Sequence, residues 1–164
     1  MNILECAIQM ELETKNHYCR LAQRVSQQEL KQMFTLLAAA EEEHGNVMSN
    51  IKNIPDLASI HFKALKEAIC IFRPFPDLHN ISAELAYDMD AYHYVIHEEI
   101  KSISYYEDLI TKTEDKRTQD IFTHLLEEEQ KHLSLLENIY IFRNPSNTFS
   151  EAGKFSNLKQ TLHA

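Results

Sequence analysis

Glycine and proline are scarce in this sequence, which has two glycines and four prolines among 164 residues. Sandwiches, barrels and nucleotide-binding α/β folds need frequent tight turns, and these two residue types form such turns most readily. With 44% hydrophobic residues, the chain is also long enough to bury one sizeable core. The composition therefore predicts an all-α fold with one main domain.

Cysteine is scarce as well, and Cys6, Cys19 and Cys70 form no C-x-x-C pair. This excludes a disulfide framework and a thiolate site for zinc or iron. The sequence also has no apolar run near the roughly 20 residues of a membrane span, and its start lacks the pattern of a secretory signal. We therefore expect a cytoplasmic protein that spans no membrane, with its cysteines as small buried or semi-exposed residues.

Basic residues are outnumbered, with 16 Lys and Arg against 25 Asp and Glu, for a formal net charge of -9. Such a balance disfavours nucleic acid or an anionic membrane as the main partner. Cations are the ligands that it favours.

Four stretches show the apolar periodicity of amphipathic helices, at about residues 2–25, 28–52, 82–110 and 117–142. Short connections around Ser26 and Gln27 and around residues 113–115 predict two antiparallel hairpins.

A long crossover is expected between the hairpins, because Pro55, Pro74 and Pro76 bracket a helical-looking piece at residues 57–72. We assign residues 1–143 to the bundle domain. Residues 144–164 are expected to form a tail pinned by Phe149 and Phe155.

An offset of 88 residues superimposes one half of the chain on the other. The matched pairs are Glu11 with Glu99, Tyr18 with Tyr106, Leu21 with Leu109, Phe34 with Phe122, Leu37 with Leu125, Glu41 with Glu129, His44 with His132 and Ile51 with Ile139. The hairpins are therefore predicted to be two copies of one unit. Glu11 and Glu41 lie equally far from the turn of the first copy, so they should face each other across that hairpin. The same holds for Glu99 and Glu129 in the second copy.

The pairs Glu41 with His44 and Glu129 with His132 place a carboxylate and an imidazole one turn apart on a helix face. One such pair would carry little weight, because about one is expected by chance. A single histidine on a core seam is also more often a satisfied core residue than a ligand. Here, however, four inward glutamates would each cost several kcal/mol to bury as ions, unless divalent cations neutralise them.

Other polar residues near these positions have ordinary explanations. The remaining glutamates of the acidic runs, Glu42, Glu43, Glu127 and Glu128, are expected on solvated helix faces. His93 and His97 should point away from the Glu99 face, toward the surface or the crossover. Tyr18 and Tyr106 could either bond a ligating carboxylate or fill the core.

The sequence resembles the ferritin-like di-iron carboxylate proteins, and within them the rubrerythrin-like group. The resemblance rests on MELETKNHYCRLA (10–22), FTLLAAAEEEHGNVM (34–48), HEEIKSISYYEDL (97–109) and FTHLLEEEQKHLSLLENIY (122–140). A helical bundle of this kind takes one Glu from each of two helices and Glu-x-x-His from each of the other two. The resemblance thus implies a ferritin-like four-helix bundle, built from two repeated hairpins joined by a long crossover.

Carried over position by position, the resemblance implies two iron ions, with zinc or manganese as other occupants. The implied ligands are Glu11, Glu41, His44, Glu99, Glu129 and His132, with Tyr18 and Tyr106 around them and no further catalytic residue. Ser102 stands where some relatives place an extra carboxylate, so redox-linked ligand switching is not expected. No cysteine-ligated iron segment occurs in the sequence, so electrons are expected from a separate protein.

The implied function is a non-haem di-iron oxidoreductase that reduces hydrogen peroxide or dioxygen, as a peroxidase or ferroxidase in oxidative-stress or iron handling. The alternative is a non-catalytic metal-binding bundle with a structural, sensor or adaptor role. A homodimer is expected, because related proteins pair and because Ile69, Ile71, Phe72 and Phe75 make the crossover more apolar than a solvated linker needs.

Overall fold

The computed structural model of the chain describes residues 3–72 and 89–143, and within these ranges it contains five α-helices and no strand. The helices are α1 (Ile3–Arg24), α2 (Gln28–Ser49), α3 (Ala64–Phe72), α4 (Met89–Lys112) and α5 (Lys116–Arg143). The predicted all-α class is therefore confirmed. Predictions that concern residues 73–88 and 144–164, including the start of the third long helix, Phe75 and the tail, lie outside the described residues.

The four long helices form the two predicted hairpins. Helices α1 and α2 pack along each other, as do α4 and α5, and α1 also packs on α4. Asp115 precedes α5 and caps it, because its carboxylate accepts a hydrogen bond from the Thr118 backbone N–H at 2.9 Å. This is the N-cap interaction that satisfies a free donor in the first turn of a helix.

Two apolar clusters lie above and below a polar layer in the middle of the bundle. One cluster is centred on Leu30, Phe34 and Leu37 of α2, and the other contains Met48 with Phe122. The residues of α2 that recur at steps of three and four are each at most 1% exposed, so the periodicity located the buried face correctly: Leu30, Phe34, Leu37, Glu41, His44 and Met48.

The segment between α2 and α3 is less helical than predicted. A 3₁₀ turn at Leu57–Ser59 is followed by irregular backbone at residues 60–63, and α3 begins only at Ala64. Glu43 of α2 accepts the backbone N–H of Lys63 at 3.1 Å and that of Ala64 at 3.4 Å. Glu43 is therefore half-buried rather than fully solvated, and its carboxylate binds the start of α3.

Helix α3 packs on α2 and touches α5, so the described part of the crossover lies against one side of the bundle. Arg117 at the start of α5 donates to the carbonyl oxygens of Ile51 at 2.9 Å and Lys52 at 3.2 Å, which ties the end of the first hairpin to the second. Among the described residues, no helix combines the length and apolar character that crossing a membrane would need.

Candidate metal centre

The polar layer brings together all six residues that the sequence analysis selected as metal ligands. They are Glu11 from α1, Glu41 and His44 from α2, Glu99 from α4, and Glu129 and His132 from α5. Each is at most 1% exposed. Four helices therefore direct two imidazoles and four carboxylates into one enclosed site.

These side chains form two overlapping groups, each of which could hold a metal ion. One group is Glu11, Glu41, His44 and Glu129, and the other is Glu41, Glu99, Glu129 and His132. Within each group the candidate ligand atoms lie within 4.8 Å of one another. Because Glu41 and Glu129 belong to both groups, each could offer one carboxylate oxygen to each group.

The contacts across the site are reciprocal, as the sequence repeat requires. His44 Nδ1 lies 2.6 Å from Glu129 Oε1, and His132 Nδ1 lies 2.8 Å from Glu41 Oε1. The carboxylates of Glu11 and Glu99 are further away, at 3.6 Å from His44 Nδ1 and 3.5 Å from His132 Nδ1. Each hairpin thus places its histidine against the shared glutamate of the other hairpin.

Despite these short separations, the buried donors and acceptors of the cluster are not satisfied by hydrogen bonds. Both ring nitrogens of His44 and His132 and both oxygens of Glu41 and Glu129 lack a partner with hydrogen-bond alignment. Such groups are rare in protein interiors, because an unpaired buried polar atom costs about 1–3 kcal/mol and a charged one more. The donor set fits a cation that accepts lone pairs from several directions at once.

Two tyrosines hold the outer carboxylates in place, and they do so across the bundle. Tyr106 of α4 donates its hydroxyl to Glu11 Oε1 of α1 at 2.5 Å, while Tyr18 of α1 donates to Glu99 Oε1 of α4. Both tyrosines are 0% exposed. The sequence left open whether these tyrosines bond a carboxylate or fill the core, and the structure shows that both bond a carboxylate. In Glu11 and in Glu99 only the second carboxylate oxygen is then without a partner.

The pKa directions divide the four glutamates into two pairs. Burial raises the pKa of Glu41 and of Glu129 well above the ordinary 4.5, and the neighbouring carboxylates raise it further. Burial also raises the pKa of Glu11 and Glu99, but close contact with His44 and His132 outweighs it and the pKa of each is lowered. Without a cation, the two shared glutamates therefore favour the neutral form.

The site also has a cover that the sequence analysis missed. Phe62, from the irregular segment before α3, is 6% exposed and meets the His44 ring edge-on, with ring centroids 5.1 Å apart. On its other side Phe62 lies against His124 of α5, at 5.2 Å between centroids. A lone aromatic residue in a stretch without periodicity gives no sequence signal for such a contact.

Residues beside the candidate ligands follow the predictions in part. Glu42 and Glu127 are exposed, as expected of a solvated face. Glu128, however, is only 4% exposed and is paired with Lys131 at 2.7 Å, so the expectation of solvation is wrong for it. The face of α5 that carries Glu128 lies next to α3 and the segment before it. Glu128 and Phe62 both line the cleft between them.

Other secondary predictions concern histidines and cysteines. His93 is exposed and His97 is half-buried, and neither belongs to the two groups. Cys6 and Cys19 are half-buried and Cys70 is exposed, all three as free thiols.

Comparison with known families agrees with this geometry. The family model described as Rubrerythrin matches residues 2–140, a range that includes all six candidate ligands and both tyrosines. Comparison with curated proteins and with solved structures gave no match.

Proposed function

The chain belongs to the rubrerythrin family, and on this premise we propose that its buried cluster holds two iron ions and reduces hydrogen peroxide or dioxygen. The observation that carries the proposal is the pair of overlapping ligand groups joined by Glu41 and Glu129. A structural site needs one closed set of ligands, whereas two groups with shared carboxylates suit two adjacent ions that react together.

The residues divide into shared and outer ligands. Glu41 and Glu129 would be ligands of both ions, Glu11 and His44 would be further ligands of one, and Glu99 and His132 would be further ligands of the other. Carboxylate and imidazole ligands suit iron, and they also admit manganese or zinc. The hydroxyls of Tyr18 and Tyr106 fix the orientation of the outer carboxylates, as the partners of metal ligands commonly do.

When bound, a pair of ferrous ions supplies one electron each, which meets the two-electron requirement for converting hydrogen peroxide and two protons into two water molecules. The chain's own contribution is to exclude bulk water and to hold the carboxylates in a fixed arrangement. All six side chains are at most 1% exposed, so little solvent competes with the oxidant. Two electrons must then return from a separate donor protein.

We also propose a compartment and an assembly state for this activity. We place the activity in the cytoplasm, a compartment consistent with three free thiols. A homodimer is proposed through the crossover, where Ile69 and Ile71 are half-buried. Sedimentation equilibrium should give twice the 19.2 kDa chain mass, and a single-chain mass at high micromolar concentration would contradict the dimer.

Peroxide turnover by iron-loaded protein tests the proposed function. Protein purified without chelator and reloaded with ferrous iron should contain close to two iron ions per chain. It should also consume many equivalents of peroxide when a chemical reductant is present. Glu129→Gln should abolish both properties, because Glu129 belongs to both ligand groups, whereas Glu127→Gln alters an exposed residue on the same helix and should preserve them.

Three outcomes separate the proposal from its alternative. Repeated turnover with two irons supports the enzyme. A single reaction with peroxide followed by no further consumption, at full metal content, would favour the non-catalytic metal-binding bundle. Metal content near zero would contradict both.

A further inference from the structure

A small surface groove between α1 and α2 lies beside the candidate metal centre. Glu11 and Glu41 are among the residues that line it, and its volume is about 190 Å³. Ile8, Leu12, Lys15 and Gly45 line it as well. Another α1–α2 cavity, about 360 Å³ and lined in part by Ala39, has none of the six candidate ligands in its wall.

Gly45 is the unusual residue of this groove. It is one of two glycines in the whole chain, and it lies inside α2 directly after His44. Glycine in a helix interior is destabilising relative to alanine, so its presence calls for a reason. Two ordinary reasons fail: no described glycine has a positive φ, and a Cβ at position 45 would meet only the Glu11 Cβ, at 3.9 Å.

The second half of the repeat has buried apolar residues at several of the positions that line the groove in the first half. At the offset of 88 residues, Ile8, Leu12, Lys15 and Gly45 correspond to Ile96, Ile100, Ile103 and Leu133. The four residues of the second hairpin are 0–4% exposed and belong to the apolar core. In the first hairpin the same positions are half-buried or exposed, with Leu12 47% exposed. Gly45 thus stands where the second hairpin has a buried leucine.

We infer that the groove at Gly45 is the route by which small molecules reach the metal centre, at its Glu11–Glu41 edge. This inference rests on the proposed function and names the size of the substrate. A volume of about 190 Å³ holds several molecules of water size, each about 30 Å³, but is smaller than the roughly 300–1,000 Å³ of pockets for drug-sized ligands. Hydrogen peroxide and dioxygen are small enough to pass along the groove.

Lys15 and Glu42 connect the two helices beside this route. Lys15 Nζ of α1 lies 2.8 Å from Glu42 Oε1 of α2, and both side chains line the groove. The pair remains partly exposed, at 28% for Lys15 and 57% for Glu42. A partly exposed pair of this kind can part at low cost, because surface ion pairs are weak.

Azide binding to cobalt-loaded protein tests the route without any turnover. The visible spectrum of Co²⁺ reports first that the site is loaded, and then, in a stopped-flow mixing experiment, how fast azide reaches it. Gly45→Leu should slow azide association at least tenfold, because leucine fills the groove beside Glu11. Gly45→Ala should slow it much less, since the added Cβ fits in ordinary contact.

The matched control is Ala39→Leu, which adds a large side chain to the same helix in the neighbouring cavity. It should leave azide association unchanged. Gly45→Leu should fold at least as well as the wild type, because it removes a helix-interior glycine. If it does not fold, Leu12→Trp at the exposed rim provides the same test and should also slow azide.

The outcomes separate this inference from the proposed function. Cobalt bands with equal azide rates in the wild type, Gly45→Leu and Leu12→Trp would overturn the route alone. So would an equal slowing by Ala39→Leu. A wild type without cobalt bands would overturn both proposals, whereas slow azide in Gly45→Leu combined with no peroxide turnover would overturn only the proposed function.

Discussion

Replacing Glu41 by glutamine should stabilise the metal-free protein and destabilise the metal-loaded one. Burial and three neighbouring carboxylates raise the pKa of Glu41 well above 4.5, so the folded apoprotein favours its neutral form. Glutamine is neutral at every pH and nearly isosteric. With metal present the same substitution removes a ligand that belongs to both groups.

The cost of neutralising Glu41 sets the size of the first effect. In the unfolded chain at pH 7 the carboxyl is charged, and protonating a group of ordinary pKa 4.5 costs about 3 kcal/mol, at about 1.36 kcal/mol per pH unit. Glu41→Gln should therefore raise the apoprotein's free energy of unfolding by about 1–3 kcal/mol. For a chain of this size each kcal/mol shifts Tm by about 2–4 °C.

The second effect has the opposite sign. A ligand present at 100 times its Kd stabilises the native state by about 2.7 kcal/mol per site, and the variant should lose most of this gain at both sites. Urea unfolding at pH 7 in chelator and in excess Co²⁺ measures both effects. The wild type should gain stability from metal, and Glu41→Gln should be the more stable protein in chelator only.

Glu42→Gln is the control, because Glu42 is the next residue of α2 but is 57% exposed. Its ion pair with Lys15 is a surface pair, worth less than about 1 kcal/mol. The variant's free energy of unfolding should therefore fall by the same small amount with and without metal. If Glu41→Gln lowers stability in chelator as much as in cobalt, Glu41 is an ordinary structural partner of His132. In that case the reasoning from carboxylate repulsion is wrong.

Two further predictions concern pH and the tyrosines. In the folded apoprotein the pKa of Glu41 and of Glu129 is raised above 4.5, and Glu99 raises the pKa of His132 above 6.5 despite burial. Protonation of these groups therefore stabilises the folded state, and this stabilisation is lost as pH rises from the ordinary pKa of each group to its raised folded pKa. The free energy of unfolding of the apoprotein in urea should therefore increase from pH 7 to pH 5, and a decrease would contradict the shifts. Tyr106→Phe should weaken Co²⁺ binding about 10–100-fold in a chelator competition, because it frees the carboxylate of an outer ligand, and unchanged affinity would show that the hydroxyl does not position that ligand.

The six converging side chains could be predicted because the chain carries the same pattern twice. Periodicity placed Glu41 and His44 on the buried seam of α2, and the repeat then assigned Glu129 and His132 to the same height in the second hairpin. Glu11 and Glu99 could be added to the set because each lies as far from its turn as the glutamate on the facing helix. A helix register is local information, so a sequence can specify it without knowledge of the packing.

Features that depend on packing between distant segments could not be predicted in this way. Phe62 reaches His44 only because the backbone at residues 60–63 is irregular, and no period marks such a stretch. Glu43 and Glu128 look like members of solvated acidic runs, yet the crossover segment binds one and buries the other. Spacing along α1 likewise places Tyr18 on the buried face, but only the packing of α1 on α4 decides that it bonds Glu99.

The repeat duplicates the ligands but not their surroundings, and this makes the two halves of the centre unequal. At the Glu11 and His44 half, Gly45 leaves a groove and Phe62 covers the histidine. At the other half, Leu133 occupies the position equivalent to Gly45 and is 2% exposed. If the groove is the entry route that we propose, a small oxidant meets the first half before the second. On the proposed function, the shared carboxylates of Glu41 and Glu129 are what connect the half that is reached to the half that is enclosed.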